Sequence, residues 1–440
     1  MKSVPDIVND PSSEPQPTFR NLIEPLLVLF NMAASRELKG KKYYISYSIP
    51  GGVYGYFEDY KVSQDDLRKI KERIRMMIRQ RVMFQHQTLP AGELSAYFES
   101  HQRTDITHLL TSGSNPPDHD PGLHLTHLNG CGELFVNPVQ ENHQQLEKFQ
   151  LIGHSKGFFL IADPDFFQRV MPARHELSKY FKRFHESEQN MKQLGISSFA
   201  ELNDVIRRGK LPEFIRISEA WQARNLSRIA DNIVSHPLKP RIVFLAGPTS
   251  SGKTTTANRL AIELKVLKKD ALILSMDNFY LPHDRIVDDP ITGMKNFEHI
   301  TALDLELFRI TVEGLLQGKP VNLPRYLFDG KGSVRETKTT TITPDTYLII
   351  EGIHGLNPAL WLEELGVESY RLYVSALSTL NIHDHLPLST SDHRLIRRLV
   401  RDHLFRGYDF NETIRRWPDV VQNEYFSIFP HQESAHAIFN

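Results

Sequence analysis

Gly247-Pro248-Thr249-Ser250-Ser251-Gly252-Lys253-Thr254 has the spacing G-x-x-x-x-G-K-[ST], and the residues on either side of it decide the fold. Upstream, Ile242-Val243-Phe244-Leu245-Ala246 is an unbroken apolar run, the mark of a strand buried on both faces. Downstream, Thr255 to Leu267 places Leu260, Ala261, Leu264 and Leu267 on one face of a helix. A glycine-rich turn between such a strand and helix presents successive backbone N–H groups and a helix N-terminus to anions. The stretch Gly247 to Thr255 is therefore expected to bind the phosphates of a nucleoside triphosphate. Lys253 would reach the β- and γ-phosphates, and the Thr254 hydroxyl would hold Mg²⁺. The carboxy-terminal half is thus expected to be α/β, a parallel P-loop sheet with flanking helices.

At 440 residues the chain exceeds the roughly 250 to 300 at which single cores stop growing, so two or three domains are expected. A net charge of −1 supplies no global field for nucleic acid or anionic membrane, and any such role would need a local patch. The most apolar segment, Leu22 to Met32, contains Glu24 and Pro25 and is too short to span a bilayer, so no membrane association is expected. One cysteine, Cys131, excludes an intramolecular disulfide and suits the cytoplasm. Residues 1–17 carry Pro5, Pro11, Pro15 and Pro17 without a basic start or apolar core, and read as a loose tail.

Residues 18–190 read as a separate α+β domain. Strand-like pieces at Tyr43 to Ile49, Tyr54 to Phe57, Gly132 to Asn137 and Gly157 to Ala162 surround a helix from Gln64 to Arg81, which Ser63 and Asp66 would cap. Residues 191–237 read as a helical connector. Pro237 and Pro240 then end the helical pattern, and the P-loop part covers residues 238–440.

Four further segments in that part bear on chemistry. The apolar run Ala271 to Met276 ends in Asp277-Asn278-Phe279-Tyr280; a carboxylate beyond the carboxyl end of a parallel strand faces the ligand crevice, unless it merely caps a turn. Tyr347 to Ile350 ends in Glu351-Gly352-Ile353-His354, which places Glu351 where an acid handles the metal or caps the next helix, and leaves His354 structural or functional. Leu323-Pro324-Arg325-Tyr326 and the residues after it read either as an aromatic loop against a planar base or as a surface hairpin. Arg394, Arg397 and Arg401 share one helix face with Arg398 and Arg406 beside it, a solvated basic face or a set of phosphate ligands.

In this order the segments resemble the uridine kinase and phosphoribulokinase family of P-loop kinases: the P-loop, Asp277 to Tyr280, Asn296-Phe297-Glu298-His299, Pro324 to Tyr326, Glu351-Gly352, and Asp392 to Arg406. The resemblance implies ATP and Mg²⁺ as cofactors and Asp277 as base for a nucleoside 5′-hydroxyl. Tyr280 and Tyr326 would line the nucleoside site, Glu298 and Arg394 would approach the ribose, and Arg398, Arg401 and Arg406 would serve the phosphates. The family's base-contacting histidine has no counterpart between Leu327 and Arg335. Residues Thr18 to His185 resemble the second additional domain of threonyl-tRNA synthetase through Ser48 to Glu58, Gly130-Cys131-Gly132 and Gly157 to Leu160. That domain's H-x-x-x-H pair is missing, and His119, His124, His127 and Cys131 lack ordinary zinc spacing, so its editing chemistry is not expected.

The expectation is phosphoryl transfer from ATP to a nucleoside, uridine or cytidine first, catalysed by Asp277, Lys253, Arg398 and Arg401 with Mg²⁺ at Thr254 and Glu351. The alternatives are a kinase for another small polyol such as a sugar phosphate, and an ATP-dependent RNA-binding regulator that touches nucleic acid through its amino-terminal domain. The resemblance also allows a homo-oligomer.

Overall fold

The computed structural model describes residues 19–113, 123–140, 143–170, 178–288, 295–327, 333–361, 366–406 and 409–440. The tail expected at 1–17 and most of the Gly/Pro-rich loop after Ser112 lie outside them, as does His119.

The P-loop strand Ile242–Ala246 is the middle of a five-stranded sheet in which every pairing is parallel. Tyr347–Glu351 and then Ala271–Ser275 lie on one side of it, and Ser369–Val374 and then Ala437–Phe439 on the other. Its unbroken apolar run follows from having both faces covered. Ile242 and Phe244 pack with Leu348, Ile350 and the helix Leu305–Leu316, while Val243 and Leu245 pack with Ile349, Leu372 and the helix Lys253–Val266. The helix Leu211–Val234 also belongs to this second layer, where it buries Leu226, Ile229, Ala230 and Ile233. Its carboxy-terminal end thus packs as a wall of the nucleotide-binding half, although its sequence pattern suggested only a connector.

The amino-terminal half holds a four-stranded antiparallel sheet with Tyr43–Ile49 at one edge, followed by Gly52–Phe57, Gly157–Ile161 and Gln150–His154. A three-stranded sheet of Gln85–Leu89, Leu123–Leu128 and Cys131–Phe135 stands beside it. Helix Gln64–Arg79 starts at a Ser63/Asp66 capping box, as its sequence predicts, and lays Leu67, Ile70, Ile74, Met77 and Ile78 inward.

One backbone irregularity joins the two halves. Between Ile45 and Tyr47 the register slips against the next strand, so two residues of one strand face one of the other. Tyr43 and Ile45 therefore point into the amino-terminal core, while Tyr47 and Ile49 enter a second cluster with Phe159, Ile161, Tyr180, Phe181 and Phe184. Ala246, Tyr373 and Ile438 of the parallel sheet close that cluster, so the halves share a core rather than a linker. Helix Ser178–Gln193 lies at the junction, where Lys179 Nζ donates to the Ala435 carbonyl at 2.7 Å and Arg183 Nε to that of Ile438 at 2.9 Å.

Candidate functional site

The phosphate loop leaves the carboxyl end of the central strand under tight steric limits. A Cβ on Gly247 would stand 2.0 Å from the Val374 carbonyl oxygen, so only glycine lets the loop pass the neighbouring strand. Ser250 and Gly252 take positive φ values of 59° and 98°, and Gly252 caps the helix that starts at Lys253. A turn of this kind makes N–H groups converge on one concavity at a helix N-terminus.

Lys253 Nζ donates to the Pro248 carbonyl at 3.0 Å. Burial pushes its ammonium down, against the pull of Glu351, Asp277, Glu298 and Glu424, so four carboxylates share the field of one lysine. Glu351, at the end of the adjacent strand, is buried, and its Oε1 accepts from Thr254 Oγ1 at 3.3 Å and Ser275 Oγ at 2.8 Å. Burial raises its carboxyl, while Lys253 and the two hydroxyls draw it back.

Asp277 is exposed in the single turn Met276–Phe279 that follows strand Ala271–Ser275, at the same end of the sheet as the loop. Glu298 is partly buried, and its carboxyl is lifted to about 7 by burial, with Arg398 opposing and Glu424 adding to the rise. Tyr280 donates its hydroxyl to the Phe297 carbonyl at 3.0 Å and meets the Tyr326 ring edge-on at 5.5 Å. Both tyrosines are buried in one cluster: Tyr326 lies on the strand Val321–Leu327, which forms a hairpin with Ser333–Thr340, one of the two readings its sequence allowed, and Tyr280 follows the turn Met276–Phe279. The Tyr326 N–H, donating to Asn278 Oδ1 at 3.3 Å, ties that hairpin to the Asp277 turn. His354 is buried, and loss of solvent pushes its imidazole down to about 3, so it is neutral.

The arginines divide in a way that spacing does not reveal. On helix Thr390–Arg406, Arg394 is buried and makes a bidentate ion pair with Glu424. Its Nη1 also donates to the Thr249 carbonyl at 3.2 Å, and Glu424 Oε1 accepts the Thr249 N–H at 3.3 Å. The pair therefore grips both sides of one residue of the phosphate loop. The guanidinium of Arg394, which the resemblance would bring to a ribose, is enclosed beneath the loop and paired with Glu424. Arg397 Nε donates to the Ser250 carbonyl at 3.0 Å. Arg398 and Arg401 both reach the buried Asp402, at 3.3 Å and 2.7 Å. Arg406 ends the helix, and its side chain lies outside the described residues.

Glu424 and Asp402 are the residues that motif spacing passed over. In helix Phe410–Ser427 the buried positions are Thr413, Trp417, Val420 and Glu424, so an acid stands where the apolar stripe requires a hydrophobe. That mismatch was the available signal. Asp402 gives none, being one acid among five arginines.

A model of the Phosphoribulokinase / Uridine kinase family matches residues 242–440. The uridine kinase of Mycoplasma genitalium is 33% identical over 186 residues, which are 42% of this chain and 76% of that relative. The chain belongs to this family. The uridine kinase of Deinococcus deserti is 29% identical over 193 residues, 43% of this chain and 82% of that protein. A putative fructose transport system kinase from Silicibacter sp. is 21% identical, covering 48% of this chain and 95% of its own, with a TM-score of 0.33. A possible uridine kinase from Bacillus stearothermophilus is 16% identical, covering 49% and 98%, with a TM-score of 0.32. Membership makes the carboxy-terminal half a kinase unit. No helix among the described residues is long and apolar enough to cross a membrane.

Proposed function

We propose that the chain transfers the γ-phosphoryl group of ATP to a hydroxyl of a nucleoside, with uridine or cytidine as the first acceptors to test. The observation that supports this reading is geometric: the loop passes the Val374 carbonyl at Gly247 and opens the helix at Lys253, Thr254 meets Glu351 at the end of the adjacent strand, and Asp277 is exposed at the same end of the sheet. Asp277, exposed and at the carboxyl end of its strand, is the group to receive the hydroxyl proton as the oxygen attacks in line. Glu298 and the Tyr280–Tyr326 wall would hold the acceptor. Lys253 and Arg397 would neutralise phosphate charge, with Arg398 and Arg401 held ready by Asp402.

The residues present fit a Mg–nucleotide. The loop takes a path past the Val374 carbonyl that a Cβ at Gly247 would prevent, and the Thr254 hydroxyl lies against the Glu351 carboxylate. Among the described residues no three His, Cys, Asp or Glu side chains gather to hold a metal unaided, so a divalent ion here would arrive with the phosphates. Thr254 and Glu351 would hold Mg²⁺, which would supply positive charge to stabilise the charge that develops on the transferring phosphate. The amino-terminal half, read as like the threonyl-tRNA synthetase additional domain, serves in this proposal as a scaffold without editing chemistry.

The test is ADP release with Mg-ATP across nucleosides, ribose phosphates and no acceptor, comparing the natural sequence with Lys253→Ala. Release stimulated by nucleosides and lost in the variant supports the proposal. Stimulation by sugar phosphates alone moves the acceptor to that class, and release indifferent to every acceptor refutes the kinase assignment for this chain.

A further inference from the structure

The connection from strand Ser369–Val374 to the arginine helix does not take a direct route. Residues 375–389 leave the kinase half, form the short hairpin Asn381–His383 and Leu386–Pro387, and return to start the helix at Thr390. That hairpin is built into the amino-terminal half. Leu386 is part of the core that holds helices Phe19–Glu37 and Gln64–Arg79. The Ile45 N–H donates to the Asp384 carbonyl at 2.8 Å, Asn381 Nδ2 to the Ile45 carbonyl at 2.7 Å, and the Asn381 N–H to the Ser197 carbonyl at 2.9 Å.

At the centre of the docked hairpin is Glu133, whose side chain is 1% exposed. Its Oε1 is 2.5 Å from both Asn31 Nδ2 and His385 Nδ1, and its Oε2 is 3.0 Å from Arg103 Nη1. Arg103 in turn holds Asp105 by two bonds of 3.0 Å, and Asp105 Oδ2 accepts the Asp384 N–H at 3.0 Å. The His385 ring stacks on Tyr43 at 4.0 Å, and His383 Nε2 lies 3.0 Å from the Leu134 carbonyl. Burial alone would raise the Glu133 carboxyl, but Arg103 and the two imidazoles outweigh it and hold the group at about 2. A network of this kind, buried and charged, is strongly destabilised when one member is removed. None of its members reaches the phosphate loop, so the kinase site by itself does not require them.

The start of the arginine helix is tied to the same half. The Thr390 N–H donates to Ser48 Oγ at 3.3 Å, and Arg20 pairs with Asp392 at 3.1 Å. Two residues further on, Arg394 grips Thr249, and the next two turns carry Arg397, Arg398 and Arg401.

We propose that the amino-terminal half is a positioning device for the arginine helix: by seating the hairpin of residues 381–387 on the Glu133–Arg103–Asp105 network, it sets the register in which that helix meets the phosphate loop. Glu133 is then a positioning residue for nucleotide binding, although it belongs to a different sheet. This rests on the P-loop half binding nucleotide, as proposed above. A helix crossing by one turn, about 5.4 Å, would remove Arg394 and Arg397 from the loop, so fixing its start matters to its far contacts.

The test uses the full-length protein with Glu133→Ala and, as a milder change that leaves the charges in place, Asn381→Ala. Amide hydrogen exchange is followed for residues 390–406 and for the strand Ile242–Ala246, together with binding of a non-hydrolysable ATP analogue. The expected result is exchange at least about tenfold faster across 390–406, an unchanged central strand, and five- to tenfold weaker analogue binding, with Asn381→Ala showing the same pattern in smaller measure. Unchanged exchange at 390–406, or unchanged affinity, in a variant whose amino-terminal half has lost protection would overturn the proposal. If Glu133→Ala does not fold, Asn381→Ala carries the test alone. If the natural chain does not bind the analogue, the kinase reading fails while the exchange arm still decides the coupling.

Discussion

The grip of Arg394 and Glu424 on Thr249 leads to a prediction in which stability and nucleotide binding separate. Each side chain of the pair is 1% exposed, so Glu424→Gln leaves a guanidinium buried without its counter-charge. Breaking such a pair costs about 3–5 kcal/mol. The amide can still accept the Thr249 N–H and one Arg394 bond, which places this substitution near the lower end, about 3 kcal/mol. Because the halves share a core, the cooperative unit is about twice the 150–250 residues for which 1 kcal/mol moves the melting midpoint by about 2–4 °C, so the shift is about 1–2 °C per kcal/mol and a fall of about 3–6 °C is expected. All three tryptophans, Trp221, Trp361 and Trp417, lie in the carboxy-terminal half, so fluorescence melting reports on the affected part. The double variant Arg394→Met/Glu424→Leu removes both charges at similar volume and should recover most of the loss. It also leaves the Thr249 peptide groups without their side-chain partners, so analogue affinity should remain about five- to tenfold below normal, the equivalent of about one hydrogen bond. A single variant melting within about 1 °C of the natural chain, on the order of the ~0.5 kcal/mol of an ordinary surface change, would refute the argument, as would a double variant that binds normally.

Three further outcomes follow from the site. Asp277→Asn should slow turnover by about 10²–10⁴ while ATP-analogue affinity stays within about twofold; near-normal turnover would remove Asp277 as the base. Glu298 has its carboxyl raised from an ordinary 4.5 to about 7, so below about 4.5 it is protonated folded or unfolded, and stability is lost as the pH climbs to about 7. Glu298→Gln should therefore stabilise the unliganded protein by about 1–3 kcal/mol at pH 8 and by nothing near pH 4.5, with urea midpoints at the two pH values as the check. Gly247→Ala puts a methyl group 2.0 Å from the Val374 oxygen and should abolish analogue binding measured by calorimetry; retained affinity would mean that loop and strand can part cheaply.

Legibility differed between elements for physical reasons. The P-loop and its flanks could be read locally, because phosphate binding needs a fixed run of backbone conformations that few residue types permit. Helix Gln64–Arg79 could be read from its one-sided apolar pattern and its capping box. Helix Phe19–Glu37 could not: Leu22 to Ala34 is buried on nearly every side, which removes the stripe, and Pro25 sits inside it. Arg394 was recognisable as part of an arginine cluster, but its partner Glu424 is thirty residues away on another helix. No spacing rule joins them.

By itself the sequence determined the parallel sheet, the phosphate loop at its carboxyl edge, the acids that follow two of its strands, and the kinase family to which these belong. Each depends on residues near one another in the chain, where backbone geometry and periodic burial act directly. Only the tertiary structure decided which arginines face the loop and which are held by Asp402, that Tyr326 is turned inward by a hairpin and buried beside Tyr280, and that a slip at Ser46 welds the two halves. It alone also placed the hairpin before the arginine helix inside the amino-terminal half. These are outcomes of competition for burial and counter-charge among distant segments, and such competition is settled only when the whole chain has packed.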